Sequence, residues 1–97
     1  MKPLEKVNLY QRAIKSWGVL AQLDMVVEEC SELIKAIQKA KRAKTDKHRA
    51  MTEILIAYEV VDDEIMCEQM RQVLKNQPFD KMKNEKLERL KKMLGDY

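Results

Sequence analysis

Apolar residues recur at spacings of three and four along most of the chain, which is the period of an α-helix packed against other protein. A first helix is expected over residues 3–17, because Pro3 suits a first helical turn and Gly18 can end the helix. A second helix is expected to run from Val19 to about Arg42. Its main apolar stripe consists of Leu20, Leu23, Val26, Val27, Cys30, Leu33, Ile34 and Ile37.

Two further helices are expected after a polar and basic connector. Thr45-Asp46 offers an N-cap for a third helix over about residues 47–75. The run Asn76-Gln77-Pro78 interrupts the pattern, since proline cannot continue a helix. A fourth, weaker helix then extends over about residues 80–94.

The third helix differs from the others because apolar residues cover nearly its whole circumference. These are Ile54, Leu55, Ile56, Ala57, Tyr58, Val60, Val61, Ile65, Met66 and Met70. A helix of this kind is surrounded by other protein, and 97 residues provide too little chain to surround it. We therefore expect one all-α domain over residues 1–97, a bundle of two long and two shorter helices completed by a homodimer or homotetramer.

Composition supports an all-helical chain and excludes several classes of protein. Hydrophobic residues make up 45% and charged residues 36%, with only two glycines and two prolines. The net charge of +3 is the difference between 19 basic and 16 acidic residues, so nucleic acid is not an expected partner. No apolar run is long enough to span a membrane, and the N-terminus has no targeting segment. Cys30 and Cys67 lack metal-ligand spacing and are expected to be buried, reduced thiols, which predicts a cytoplasmic protein.

Three carboxylates lie close together on the second helix. Glu29 and Glu32 are separated by three residues, and Glu28 precedes Glu32 by four, so all three project toward one side. They share a strip with four small or flexible residues, Ala21, Met25, Ala36 and Ala40. Small residues allow close approach of another helix, so this acidic strip is expected to face protein.

The third helix repeats the spacing with Glu59 and Asp62, between Leu55 one turn before and Met66 one turn after. An unpaired carboxylate on an apolar face costs several kcal/mol, so a lysine or arginine, a proton or a metal ion should offset it. Carboxylates without histidine or cysteine form an all-oxygen site that suits Mg²⁺ or Mn²⁺ and disfavours zinc, haem and iron. Because Mg²⁺ commonly completes its coordination with phosphate oxygens, the site indicates phosphate chemistry. A solvated acidic face or a buried salt bridge is the alternative.

Together, the motifs Glu28-Glu29-x-x-Glu32 and Glu59-x-x-Asp62, separated by a basic connector, resemble those of the MazG-like nucleoside triphosphate pyrophosphohydrolases. These belong to the all-α NTP pyrophosphatase superfamily, and the small bacterial and phage-type members are the most similar. The resemblance spans about residues 10–92. It extends to Trp17-Gly18 and to three further stretches, residues 32–37, 63–66 and 86–90.

The resemblance implies an oligomeric helical bundle that uses Mg²⁺ to hydrolyse a nucleoside triphosphate to the monophosphate and pyrophosphate, as in housecleaning of the nucleotide pool. It implies that the metal ligands are Glu29, Glu32, Glu59 and Asp62. Glu28 would be a further ligand or would orient the attacking water. Lys86 and Arg89 are similar to basic positions of the family that meet substrate phosphates.

One position departs from the family pattern. Many relatives carry glycine or alanine between the two acids of the second motif and an apolar residue after it, whereas this chain has Val60-Val61 and then Asp63. The ligand positions are retained, but helix packing there is expected to differ. Asp63 adds an acid beside the site, with no role assigned to it.

Two other functions remain compatible with the sequence. One is a non-catalytic helical oligomer with a regulatory role, in which lysines pair with the acids. The other is a nucleic-acid-binding module that uses the fourth helix and the connector, which carries six basic residues from Lys39 to Arg49. Trp17 and Tyr58 either pack in the core or stack on a nucleobase.

Overall fold

The computed structural model describes residues 1–96 and consists mostly of helix. Four helices are present in this range: α1 (Pro3–Trp17), α2 (Val19–Lys41), α3 (Asp46–Val73) and α4 (Phe79–Met93). The described residues include no β-strand. The predicted all-α fold, with two long and two shorter helices, is confirmed for this part of the chain.

A single residue, Gly18, separates the first two helices. Its φ is 87° and its backbone N–H donates a hydrogen bond to the carbonyl of Ile14 at 2.8 Å, which closes the last turn of α1. A positive φ is readily adopted only by glycine, so the chain can change direction there within one residue. Both boundaries agree with the sequence prediction, as does the start of α1 at Pro3.

The ends of α3 also have identifiable causes. Thr45 is the N-cap, and its hydroxyl oxygen accepts a hydrogen bond from the backbone N–H of His48 at 3.1 Å. The helix ends at Val73, before the predicted residue 75, as the chain turns ahead of Pro78. The guanidinium of Arg71 then lies 5.0 Å from the ring centre of Phe79, the first residue of α4.

The second and third helices pack against each other more extensively than any other pair, and α1 lies against both of them. Tyr10 is buried on α1, and its hydroxyl donates a hydrogen bond to the carboxylate of Glu68 on α3. One residue farther along, the amide of Gln11 donates to the side-chain oxygen of Gln72 at 3.4 Å. The fourth helix makes few contacts with the other three. The body of the molecule is therefore the α1–α3 unit.

The face that α2 turns toward α3 mixes polar with apolar residues, since Gln22 and Glu29 lie there beside half-buried Val26, Cys30 and Leu33. Three polar side chains, Gln22, Thr52 and Gln69, are buried, whereas Tyr10 and Met66 are the only buried hydrophobic residues in the described range. Half-buried Glu29, Ala36 and Ala40 lie on the inner face of α2, so the prediction that the acidic strip faces protein is confirmed for them. The prediction is wrong for the other members of the strip, which are exposed: Ala21, Met25, Glu28 and Glu32.

Five of the eight residues in the predicted main apolar stripe of α2 are exposed within one chain, whereas Val26, Cys30 and Leu33 are half-buried. Leu20 is 79% exposed, Val27 69% and Ile34 61%. On α3 the exposed apolar residues include Met51, Ile54, Leu55, Tyr58, Val61 and Ile65. The prediction that other parts of the same chain would leave α3 uncovered thus agrees with the structure.

The dimensions of the chain are those of an open arrangement. Its radius of gyration is 16.9 Å, whereas a compact domain of this length has a radius of about 13 Å. Its accessible surface is 8231 Å², against about 5,800 Å² for a folded monomer of this mass. The excess of about 2,400 Å² reflects helix faces that one chain does not cover.

Two smaller predictions concern the cysteines and the membrane. Both cysteines are free, with Cys30 half-buried and Cys67 exposed, so the prediction of burial is wrong for Cys67. Cys67 lies on an exposed face of α3, although its spacing in the sequence had placed it within the apolar pattern of that helix. None of the helices over residues 1–96 has the length and apolar character to cross a membrane.

Candidate metal centre

Three of the acids singled out from the sequence converge between α2 and α3. Glu29 lies midway along α2, while Glu59 and Asp62 lie one turn apart on α3. One carboxylate oxygen from each of these residues lies within 4.8 Å of the other two. The packing of the two long helices brings acids more than 25 positions apart in the sequence into one cluster.

The spacing of these oxygens is close to that needed by a single small cation. Ligand oxygens of one octahedral Mg²⁺ lie about 3.0 Å apart when adjacent and about 4.2 Å apart when opposite, since each lies about 2.1 Å from the ion. The three oxygens, all within 4.8 Å of one another, would reach such separations through rotations of their side chains. The cluster contains only oxygen donors, which suits Mg²⁺ or Mn²⁺.

Several carboxylate oxygens of this cluster are buried without a partner. Oε2 of Glu29, Oε2 of Glu59 and Oδ1 of Asp63 are inaccessible and make no hydrogen bond. Buried acceptors are normally paired because loss of hydration otherwise costs free energy. Unpaired carboxylate oxygens in one cluster would be satisfied by a group that supplies positive charge, so the residues present fit a divalent cation.

The electrostatic environment points the same way. Burial raises the pKa of Glu29 above its ordinary value, and the charges of Glu32, Asp62, Glu59 and Asp63 raise it further. Burial likewise raises the pKa of Glu59, with additional repulsion from three of the same acids. Both pKa shifts have the same sign because burial and the neighbouring acids each disfavour the charged form of the carboxyl group.

Within residues 1–96, no basic side chain offsets this negative charge. The one ion pair in that range joins Asp46 to Arg49 at 3.3 Å, on the first turn of α3. That turn precedes Glu59 by ten residues, or about 15 Å along the helix. The alternative in which a lysine or arginine neutralises the acids finds no support in the arrangement of this chain.

Glu32 and Glu28 occupy different positions relative to the cluster. Glu32 is exposed and lies outside the close trio, but it is near enough to raise the pKa of both Glu29 and Glu59. Glu28 is also exposed and contributes to neither shift. The structure thus brings Glu32 to the edge of the site and leaves Glu28 outside it.

Asp63 is the acid whose position sequence reasoning left without a role. It is half-buried, its Oδ1 is unpaired, and its charge acts on Glu29 and Glu59. The sequence does carry a signal, since Asp63 follows Glu59 by four residues and Met66, which is buried, follows Asp63 by three. That spacing places Asp63 on the inner face of α3.

The basic residues proposed to meet phosphate lie away from the acids in one chain. Lys86 and Arg89 line a shallow groove on α4 with Met82 and Glu85, and α4 makes few contacts with α1–α3. The connector is also remote, because its first basic residue, Lys39, follows Glu29 by ten residues, about 15 Å along α2. Tyr58 is exposed on the outer face of α3.

Comparison with known proteins finds no matching family model, curated protein or solved structure. The case for a metal centre therefore depends on the geometry of this chain.

Proposed function

We propose that this chain is a Mg²⁺-dependent hydrolase, with Mn²⁺ as an alternative ion, that converts a nucleoside triphosphate to the monophosphate and pyrophosphate. The observation that carries the proposal is the convergence of Glu29, Glu59 and Asp62, whose oxygens lie within 4.8 Å of one another. The buried, unpaired oxygens in the same cluster support a bound cation. The resemblance of the two acidic motifs to MazG-like enzymes supports the reaction.

Each acid has a distinct proposed role. Glu29, Glu59 and Asp62 would hold the ion, with Glu32 at the edge of the site as a further ligand. When bound, Mg²⁺ supplies positive charge against the triphosphate and makes a nearby water more acidic. If Glu32 is not occupied as a ligand, its exposed carboxylate accepts the proton of the attacking water, because Glu28 lies outside the site.

The chemistry conserves all atoms of substrate and water. The water oxygen forms a bond to the α-phosphorus as the bond between that phosphorus and the bridging oxygen to the β-phosphate breaks. Pyrophosphate leaves with the bridging oxygen, and the monophosphate retains the oxygen from water. No covalent bond to the chain is needed, which agrees with a cluster that contains carboxylates and no paired nucleophile and base.

The working form is proposed to be a homodimer or homotetramer. The excess accessible surface of about 2,400 Å² per chain exceeds the roughly 800 Å² that each partner buries in a standard interface. The exposed apolar residues of α2 and α3 would form such an interface. If Lys86 and Arg89 meet substrate phosphates, as the resemblance implies, they would do so from another copy, because α4 makes few contacts with α1–α3 of its own chain.

The test is pyrophosphate release from a panel of ribo- and deoxyribonucleoside triphosphates, with and without Mg²⁺. We expect release only with the metal, and a loss of more than about 100-fold in Glu59→Gln, because even outer-shell partners of metal ligands cost 10- to 100-fold. Glu53→Gln is the matched control, since Glu53 is an exposed acid on the same helix. Activity in the wild type that persists in Glu59→Gln would overturn the proposal.

The competing functions give different results in the same preparation. A nucleic-acid-binding module would bind DNA or RNA with strong salt dependence, unchanged by Glu59→Gln. A regulatory oligomer would release no pyrophosphate from any triphosphate in the panel. Either result in place of Mg²⁺-dependent hydrolysis would remove the enzymatic assignment.

A further inference from the structure

The fourth helix has an apolar face that its own chain does not cover. Four side chains on this face are 42–76% exposed: Met82, Leu87, Leu90 and Met93. At about 100° per residue they occupy about 140° of the helix circumference, which is the width of a face that packs against other protein. Since α4 makes few contacts with α1–α3, this face requires a partner outside the chain.

Two lysines lie within the apolar face of α4. Lys83 and Lys86 line a groove of about 460 Å³ together with Met82, Leu87 and Leu90, and no acid of the described residues lines that groove. A lysine can bury its aliphatic stem in a contact while its ammonium group meets an acid. An entirely apolar partner would leave both ammonium groups without a counter-charge. The partner of α4 should therefore be an apolar surface that carries acids.

The exposed stripe of α2 has this combination of properties. Leu20, Val27 and Ile34 are its most exposed apolar residues. Asp24 follows Leu20 by four residues and Glu28 follows Asp24 by four, so the two acids lie one turn apart beside the stripe. Both acids are exposed, and within residues 1–96 neither belongs to an ion pair.

The two surfaces also match in length. From Leu20 to Ile34 the stripe of α2 covers 14 residue steps, about 21 Å. The 15 residues of α4 form a helix of about 22 Å. Each surface carries two charges about one turn apart, acids on α2 and lysines on α4. The match in length and the opposite charges favour a direct contact between them.

The apolar face of α3 is a less suitable partner for these lysines. Glu68, which lies beside that face, already accepts a hydrogen bond from the hydroxyl of Tyr10. Asp62, on its other side, belongs to the acid cluster between α2 and α3. Asp24 and Glu28 have no such engagement, so the lysines of α4 fit α2 better.

We propose that α4 of one copy packs on the exposed stripe of α2 of a second copy, with Lys83 and Lys86 against Asp24 and Glu28. In a two-fold arrangement this contact forms twice, because each copy both provides α4 and receives that of its partner. The inference rests on the oligomer of the proposed function and does not depend on hydrolysis. Lys86 then belongs to the contact between copies, which leaves Arg89, at the edge of the apolar face, free to meet phosphate.

Charge reversal on either helix tests the contact. One variant carries Asp24→Lys with Glu28→Lys, and the other carries Lys83→Glu with Lys86→Glu. Each variant places like charges opposite one another at both contacts, so its self-association should be at least about 100-fold weaker than that of the wild type. Sedimentation velocity without nucleotide or divalent ion measures the dissociation constants, and circular dichroism checks that the helices are retained.

Matched controls change the same charges on the opposite side of α4. Lys81→Glu with Lys92→Glu alters net charge as the α4 variant does, and Glu85→Lys with Glu88→Lys alters it as the α2 variant does. All four of these residues are exposed, and none lines the groove with Lys83. Both control proteins should associate as the wild type does.

An equimolar mixture of the two reversed variants gives the most specific result. In a mixed pair, the lysines introduced on α2 of one chain meet the glutamates introduced on α4 of the other, and the original charges meet at the second contact. The mixture should therefore associate as tightly as the wild type, although neither variant does so alone. A size tag on one variant identifies the mixed species by its sedimentation coefficient.

Two results would overturn the inference: reversed variants that associate as tightly as the wild type, or a mixture that stays dissociated. The second would mean that α4 does not meet α2 of another copy. A wild type that is monomeric would overturn both the inference and the proposed oligomer. Pyrophosphate release is measured separately, so its absence would remove the hydrolysis and leave this contact in place.

Discussion

The inner and outer faces of the α2–α3 pair differ in character. Between the helices, the polar or acidic residues Gln22, Glu29, Thr52 and Glu59 are buried or half-buried among apolar ones such as Leu33 and Met66. The outer faces carry aliphatic residues that remain exposed in one chain. Polar residues in the interior contribute little stability and are retained where they hold something, whereas exposed apolar faces indicate a missing partner. Under the proposed function, the inner face would bind the metal ion and the outer face would form the contact between copies.

The largest expected effect comes from a charge on the outer face. Ile54 is 59% exposed, and in a monomer Ile54→Glu would change stability by no more than about 0.5 kcal/mol. If the face is an interface, the substitution should dissociate the oligomer and abolish cooperative unfolding at the original temperature. Sedimentation velocity with thermal unfolding measures both changes. Glu53→Lys, a charge change at the neighbouring exposed position, should leave them unaltered.

On the inner face, Glu59→Gln should change the unfolding temperature in opposite directions without and with metal. Without divalent ions the variant should unfold at a higher temperature than the wild type, because it loses repulsion among buried acids. With Mg²⁺ the wild type should be the more stable, since only it retains the full ligand set. Calorimetry with EDTA and with Mg²⁺ checks this reversal. A lower midpoint for the variant in EDTA would contradict it.

The dependence of stability on pH gives a second test of the acids on the inner face. The pKa values of Glu29 and Glu59 are raised above 4.5 in the folded state, so that state holds protons to higher pH than the unfolded chain. Metal-free stability should consequently decrease as the pH rises from about 4.5 through the raised values. Stabilisation by Mg²⁺ should grow over the same interval. Urea unfolding across this pH range, with and without Mg²⁺, measures both free energies of unfolding. If the stabilisation by Mg²⁺ did not change with pH, Glu29 and Glu59 would not be its ligands.

A smaller effect is expected where α1 meets α3. The hydrogen bond to Glu68 raises the pKa of Tyr10 to about 12, with burial as a further cause. Tyr10→Phe should cost about 1 kcal/mol at neutral pH. The wild type should lose this advantage as the pH rises from 10 toward 12, because its folded state must release a proton it holds more tightly. Equal stability of the two proteins at neutral pH would show that the bond contributes nothing.

The sequence predicted the helices well because their limits depend on local chemistry. Pro3 begins α1, Gly18 separates α1 from α2 through its positive φ, and Thr45 caps α3. These features act within one turn of the chain, so no knowledge of the partner helix is required.

The facing of α2 was harder to predict from its apolar pattern. The stripe of Leu20, Val27 and Ile34 dominates the periodicity, yet these residues are exposed in one chain. A helix that serves two interfaces has two buried faces, and a single periodicity cannot say which face meets which neighbour.

For the site, the sequence indicated Glu29, Glu59 and Asp62, which the structure brings together. It left open the place of Asp63, because burial of that carboxylate depends on the register between α2 and α3. The position of α4 was equally beyond prediction, since its few contacts with α1–α3 are a property of packing between helices.

Binding of Mn²⁺ measured by electron paramagnetic resonance tests the central claim most directly, because free Mn²⁺ gives a signal that is lost on binding. The wild type should remove the free-ion signal saturably, Glu53→Gln should do the same, and Glu29→Gln and Glu59→Gln should each weaken binding more than about 10-fold. Equal binding by all four proteins, or none by the wild type, would contradict a divalent cation held between α2 and α3.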